Sequence, residues 1–303
     1  MIRIGTRRSA GAIGACVAAL ALLAGCGGGA GEGSASAGSS IAGLAPVQVA
    51  RQAPDVTRAA GTSRYALEMT YTSTGGPVPM DAPMTMSGEG TYDFGRQIGD
   101  GKYSSSGGGL PSEQLETVFR NNVLWQRAGG QTRWQEWDYS ELVNTPVGQH
   151  DPSQQLDLLR GVSDDVREVG TSEIRGAEVR QYAITIDPTR LAQESGVVVA
   201  GGLTQAALSA SGPIPAEVFV DEDGRVRRLA VAISVSGADM AASPEMQEAL
   251  GDILADPRFA EMMRDRKTEM KLSIEYFDFG VPVTAEVPDP STVDRGPSIP
   301  GPR

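Results

Sequence analysis

The apolar residues of this chain fall two apart over much of its length. Tyr65, Leu67, Met69 and Tyr71 alternate with Ala66, Glu68, Thr70 and Thr72. Leu229, Val231, Ile233 and Val235 alternate with Arg228, Ala230, Ala232 and Ser234, and Met270, Leu272, Ile274 and Tyr276 with Lys271, Ser273 and Glu275. Successive side chains on a strand point to opposite faces, so each segment has one apolar and one polar side. Such segments form an antiparallel sheet whose apolar side must be covered by other elements.

The other strands follow from the turns between them. Met84, Met86, Tyr92 and Phe94 continue the alternation around Gly88 and Gly90, which read as a bulge or bend. Gln97 to Tyr103 is the next strand, followed by a loop over Ser104–Gly109. Asn121-Asn122 separates Val118-Phe119 from Val123–Trp125 as a hairpin signal, because Asn tolerates the left-handed backbone of a tight turn. Arg133 to Tyr139 is a further strand. Arg175-Gly176 joins Val166–Val169 to Glu178–Ile186, where Tyr182, Ile184 and Ile186 share a side. Asp221-Glu222-Asp223-Gly224 joins Ala216–Val220 to Arg225–Val235. This acidic turn is not a calcium loop, since Ala232 stands where the bidentate acid is required. Nine or ten strands result.

Helices supply the cover. Pro46 to Ala60 brings Val49, Val56 and Ala59 near one face, with Pro54 inside it. Asp151-Pro152 places an N-cap and a first-turn proline before Leu156, Leu158, Leu159 and Val162. Ser243-Pro244-Glu245 leads into Met246, Leu250, Ile253 and Leu254, and Asp256-Pro257 into Phe259, Met262 and Met263. Gly196 to Ala210 is apolar and reads as a flap. Long helices are too few for a doubly wound sheet, so the fold class is α+β.

The first 25 residues have a different character. Arg3, Arg7 and Arg8 precede an apolar run from Ala10 to Leu23 and a small-residue cleavage site, which is an export signal. The run is shorter than the ~20 residues of a spanning helix. Leu23-Ala24-Gly25-Cys26 resembles the lipobox of bacterial lipoproteins, and that resemblance implies cleavage before Cys26 and acylation of its sulfur. The expected organisation is a signal peptide (1–25), a Gly/Ser-rich tether (26–45), one domain (46–290) and a flexible tail (291–303).

Composition excludes several classes. The net charge is −12, and removing the leader arginines makes it more negative. That argues against nucleic acid and against adhesion to anionic headgroups, which both need Lys and Arg. The two cysteines are Cys16 and Cys26, so the folded body has no disulfide, thiol nucleophile or Cys-based metal site. His150 is the single histidine, in the turn-like Gly148-Gln149-His150-Asp151-Pro152, where an exposed loop residue is the simpler reading than a catalytic base. No serine stands in a nucleophile-elbow context. No enzyme activity, metal or cofactor is expected.

Asp151-Pro152-Ser153-Gln154-Gln155-Leu156, Leu159-Arg160-Gly161-Val162, Val166 to Gly170, Arg175-Gly176 and Tyr182 resemble the LppX/LprA/LprF/LprG family of actinobacterial lipoproteins. So do Pro215 to Asp221, Gly224 to Arg228 and the closing Asp278-Phe279-Gly280-Val281-Pro282-Val283. The resemblance implies a LolA-like half-barrel: one large curved antiparallel sheet, helices across its concave face, and an apolar cavity between them. It also implies an acylated lipid or glycolipid as partner, carried or chaperoned on the outer face of the cytoplasmic membrane by a protein anchored through Cys26. The residues then expected to line the cavity are Leu67, Met69, Met84, Met86, Tyr182, Ile184, Leu229, Val231, Ile233, Leu272 and Ile274. Without the resemblance the same residues read as plain core. The chain departs from the family pattern between Val235 and Met270, where the insert (residues 236–266) with Met240, Met246, Met262 and Met263 is longer. The rival reading is a filled-core interaction module that docks an envelope or membrane protein through its acidic surface or this insert.

Overall fold

The computed structural model describes residues 41–75, 82–138, 151–194, 211–243, 247 and 257–296. The chain divides into two units, Met1–Ala37 and Gly38–Arg303, and the described residues all belong to the second. Cys26, His150, the Gly196–Ala210 segment and the helix expected after Ser243 lie outside the described residues.

Helix α1 (Pro46–Ala59) precedes β1 (Thr62–Thr74), β2 (Met84–Asp93), β3 (Ile98–Gly107), β4 (Leu110–Arg120), β5 (Val123–Ala128) and β6 (Trp134–Asp138). Helix α2 (Pro152–Asp157) runs into a 3₁₀ turn (Leu158–Gly161), followed by β7 (Arg167–Ile174), β8 (Ala177–Ile186) and α3 (Pro188–Glu194). The chain continues through β9 (Ile214–Asp221), β10 (Val226–Ser236), α4 (Gly237–Ala242), α5 (Pro257–Arg264), β11 (Lys267–Phe277) and β12 (Val293–Arg295). These twelve strands form one sheet in the order β12-β6-β5-β4-β3-β2-β1-β11-β10-β9-β8-β7. The two ends of that order do not pair, so the sheet is open, as a half-barrel requires.

Four expectations are corrected. The sheet is mixed rather than wholly antiparallel, because β12 runs parallel to β6. Residues 293–295 are therefore strand, not tail. The expected loop over 104–109 shrinks to Gly108-Gly109, with β3 and β4 pairing up to Gly107↔Leu110. At the other boundary Ile41 is buried in the core and Leu44 packs against it, so the body begins before residue 46.

Gly88 and Gly90 form no bulge either. Their register is regular, with Leu67↔Gly88↔Tyr103 and Tyr65↔Gly90↔Gly101. They are glycine because rings lie flat on the sheet there: a Cβ on Gly88 would meet the Tyr103 ring at 2.3 Å. Tyr65, Tyr92 and Phe119 fill this floor, with Tyr92 stacked on Phe119 at 5.7 Å. The turn signals read from sequence hold. Asn121 has φ 54°, and Arg175-Gly176 have φ 49° and 78°, the two positive values of a type I′ hairpin.

The inner face of the sheet packs against α1, α2 and the 3₁₀ turn. Thr57 fixes α1 to β10: its hydroxyl donates to Ala53 O at 2.6 Å and accepts from Val226 N–H at 2.8 Å. Asp151 caps α2 by accepting from Ser153 N–H at 2.8 Å, and the Tyr92 phenol donates to the same carboxylate at 3.0 Å. Tyr276 donates to Pro152 O at 2.6 Å. Buried phenols thus satisfy the polar groups that the helix start brings onto an apolar floor. The outward face carries the charges. There Glu275 accepts from Arg175 at 2.6 Å and from Arg228, while Arg175 lies over the Phe277 ring at 3.8 Å.

Candidate functional site

Burial is uneven across the inner face. The row through Tyr182, Val218, Leu229, Ile274 and Leu67 is buried from end to end. In the next row Ile184, Ala216, Val231 and Leu272 are buried, whereas Met69 and Met86 are half-buried. One step further, Ile186 (0% exposed) and Ile214 (2% exposed) are sealed, while Ile233, Met270, Tyr71 and Met84 are half-buried. Cover therefore thins over this row near the ends of β10, β11, β1 and β2, although Val235 (4% exposed) and Ser73 (3% exposed), one step further out on the same face, are buried again.

The cause is the path of α1. Its C-terminal turn sits on Val226 at the start of β10, and its Arg51 reaches Val162 O at 3.0 Å. Val162 bridges Ile186 at the end of β8, and Arg190 of α3 donates to the same carbonyl at 2.9 Å. The helical cover thus runs from the start of β10 to the end of β8 and seals that side. Among the described residues, the β11, β1 and β2 ends receive none of it.

Of the eleven residues expected to line a cavity, Leu67, Tyr182, Ile184, Leu229, Val231, Leu272 and Ile274 lie in the packed core. Met69, Met84, Met86 and Ile233 lie at the half-covered corner. Two residues of this corner were absent from the sequence-based set. Tyr71 and Met270 pair with each other, and Tyr71 pairs with Met84 on its other side. Their signal was visible, since each continues the alternation of its strand by one step. In the insert, Met263 is buried and Met240 half-buried. Met246 and the Met262 side chain lie outside the described residues.

The corner offers unbranched thioethers, one phenol and an isoleucine, and no titratable acid or base among the described residues. Methionine has three rotatable bonds and a polarisable sulfur, so it adapts to apolar partners of varied shape. Nothing in this set activates a nucleophile or moves a proton. Among the described residues no group of three or more His, Cys, Asp or Glu is placed to hold a metal ion. The perturbed acids lie elsewhere. Burial raises the Asp151 carboxyl above its usual range, although hydrogen bonds from Ser153 and Tyr92 oppose the shift. At Glu275 burial also acts upward, but the Arg175 and Arg228 guanidinium groups outweigh it and hold the carboxyl low.

Open grooves also occur on the outward face. One of about 580 Å³ is floored by Ala183, Ala230, Ala232 and Ser273 and flanked by Glu217 and Lys271. Another of about 1270 Å³ runs past Glu89, Lys102, Glu116 and Arg127. The charged wall of the second is engaged in ion pairs such as Arg127–Glu116 at 2.5 Å. They are polar surfaces of a different character from the corner.

No family model matches the chain, and no curated protein matches it. Among solved structures it is similar to LprF from Mycobacterium bovis, at 11% identity and a TM-score of 0.42, over 80% of this chain and 96% of that one. It is similar to the Mycobacterium tuberculosis lipoprotein LppX at 13% identity and a TM-score of 0.42, over 79% and 97%. A DUF1329 family protein from Desulfovibrio piger follows at 10% identity and a TM-score of 0.27, over 78% and 95%.

Proposed function

We propose that the protein is an envelope lipoprotein, held on the outer face of the cytoplasmic membrane by an acylated Cys26, that carries an acylated lipid or glycolipid against the inner face of its sheet. The observation that supports this reading is the half-covered group of Met69, Met84, Met86, Met270, Tyr71 and Ile233, beside a row that is buried from Tyr182 to Leu67. A filled core has no reason to leave four methionines half-buried together. An acyl tail laid there buries apolar area at about 0.8 kcal/mol per methylene, so fifteen methylenes supply on the order of 10 kcal/mol before ordering costs. The anchor follows from the lipobox, and two or more acyl chains on one cysteine hold a protein to a bilayer where a single chain does not. The role is non-enzymatic: the work is done by apolar area and an adaptable rim.

Native mass spectrometry of protein extracted mildly from its own membrane tests the reading. We expect copurified acylated lipid, displaced by a fluorescent fatty-acyl probe. Protein that always emerges empty and has no affinity for such probes favours the interaction-module reading instead. In that case deletion of residues 236–266 abolishes capture of an envelope partner.

A further inference from the structure

We propose that the half-covered residues form a one-ended slot for a single acyl tail. The slot runs across the strands from a mouth at β2 to a closed end at β10, and the polar head of the lipid lies over Ser105 and Glu113. Such a slot rests on the carrier reading and adds to it the direction of the ligand and the class of its head, which is neutral and hydroxyl-bearing.

The direction follows from how burial changes from strand to strand. On the inner face Ile184 and Ile186 of β8 and Ala216 and Ile214 of β9 are all buried. On β10 a single apolar residue, Ile233, is half-buried, between the buried Val231 and Val235. On β11 it is Met270 alone. On β1 there are two, Met69 and Tyr71, and on β2 two again, Met84 and Met86. The strip is therefore absent at β9, narrow at β10 and β11, and wide at β1 and β2. Ile214, 2% exposed, stops it at the far side. The strands in between set a length from Met84 to Ile233 of about 14 Å, at the usual inter-strand spacing. A hydrocarbon tail gains in proportion to the apolar area it covers, so the tail takes the closed end and the head stays at the open one.

The class of the head follows from what lies beyond the mouth. The row Val231, Leu272, Met69 and Met86 continues into Ser105 on β3 and Glu113 on β4, so the face turns from apolar to polar at this point. Leu115, which packs against the core, fixes the orientation of β4. Side chains two apart share a face, so Glu113 stands on the same side. Ser105 is half-buried and Glu113 exposed. The Glu113 carboxylate enters no ion pair or side-chain hydrogen bond among the described residues. A hydroxyl that both donates and accepts, beside a carboxylate that only accepts, matches a head rich in hydroxyl groups, whether glycerol or sugar. The same carboxylate repels a phosphate or a free fatty-acid carboxylate.

Photoreactive lipids test the slot on the full chain. Monopalmitoylglycerol carries a diazirine either at the methyl end of its tail or next to its ester, and labelled peptides are mapped by mass spectrometry. The methyl-end probe should label Ile233 and Met270, and the ester-end probe Met84 and Met86. Ile233→Trp fills the closed end and should weaken monopalmitoylglycerol several-fold more than monooctanoylglycerol. In competition, monopalmitoylglycerol and palmitoylglucose should both outcompete palmitate several-fold, and the tighter of the two distinguishes a glycerol head from a sugar. Glu113→Lys should reverse that order in favour of palmitate. The labelling pattern is read on the unaltered chain, so it decides the direction even where Ile233→Trp folds poorly. Reversed or uniform labelling overturns the direction, and palmitate that binds as tightly as the neutral lipids overturns the class of head. A chain that binds none of these probes removes the carrier reading, and the slot with it.

Discussion

The Asp151 carboxylate accepts from Ser153 N–H at 2.8 Å, the Ser153 hydroxyl at 2.7 Å and the Tyr92 phenol at 3.0 Å. Burial still raises its pKa above the ordinary value. A carboxyl whose folded pKa exceeds its unfolded one contributes stability at low pH and loses it as pH rises through the folded value. Asp151→Asn removes that titration and keeps an acceptor for the helix cap. In urea melts from about pH 4 to 7 its stability should therefore gain on the wild type as pH rises. Asp151→Ala instead strands the Tyr92 and Ser153 donors and should cost about 1–3 kcal/mol throughout. A second residue-scale test concerns Gly90, whose Cβ would fall 1.9 Å from Asp100 O and 2.6 Å from the Tyr65 hydroxyl. Gly90→Ala should lower stability by about 1–3 kcal/mol or more. Gly95→Ala, with its nearest contact at 3.5 Å, should stay within about 0.5 kcal/mol in the same thermal melts.

Among the elements, β1, β8, β10 and β11 were legible because each alternates cleanly, and the Asn121-Asn122 and Arg175-Gly176 turns carried their own backbone signal. The start of β4 was not: Leu110-Pro111-Ser112-Glu113-Gln114 has no apolar period, and its pairing with β3 makes it a strand. Gly88 and Gly90 were misread because a glycine in a strand has two meanings. Only the rings of Tyr65 and Tyr103 on neighbouring strands decide between them. The candidate site was half legible for a related reason. Leu67 and Met69 are equivalent in the pattern of β1, and the path of α1 decides which is sealed. That difference can be tested. Met86→Glu places a carboxylate at the half-covered corner, where it can turn to water, and should leave the melting transition nearly unchanged. It should weaken binding of a fatty-acyl probe at least tenfold, about 1.4 kcal/mol. Leu229→Glu buries the same charge in the sealed core and should cost about 5 kcal/mol or more, on the scale of the whole stability. Equal probe binding by Met86→Glu and wild type would count against the corner as the lipid site.

At the scale of the molecule, charge is unevenly distributed. The net charge is −12, while residues 257–271 hold five cations against three acids. The open sheet raises a separate issue, since each edge is a template for another strand. At one edge β7 is exposed along Arg167–Glu173, carries charges of both signs, and shifts register between Glu168 and Gly170, all of which discourage pairing. At the other, β6 carries Trp134 and Trp137 beside Glu136 and Asp138 in a regular register, and β12 lies on it. Arg133 clamps that strand, donating to Asp294 at 2.5 and 2.8 Å and to the Val293 and Ser291 carbonyls at 3.3 Å. These contacts are exposed and individually weak, so their removal should barely shift the melting temperature of the monomer. What the three residues of β12 provide is occupancy of an edge. Truncation after Asp289 should therefore produce concentration-dependent self-association through β6, read by sedimentation velocity, with thermal stability at high dilution close to that of the full chain. Arg133→Ala, which loosens β12 without deleting it, should show the same association more weakly. A truncated chain that remains monomeric at every concentration would mean that the edge is guarded by something other than β12.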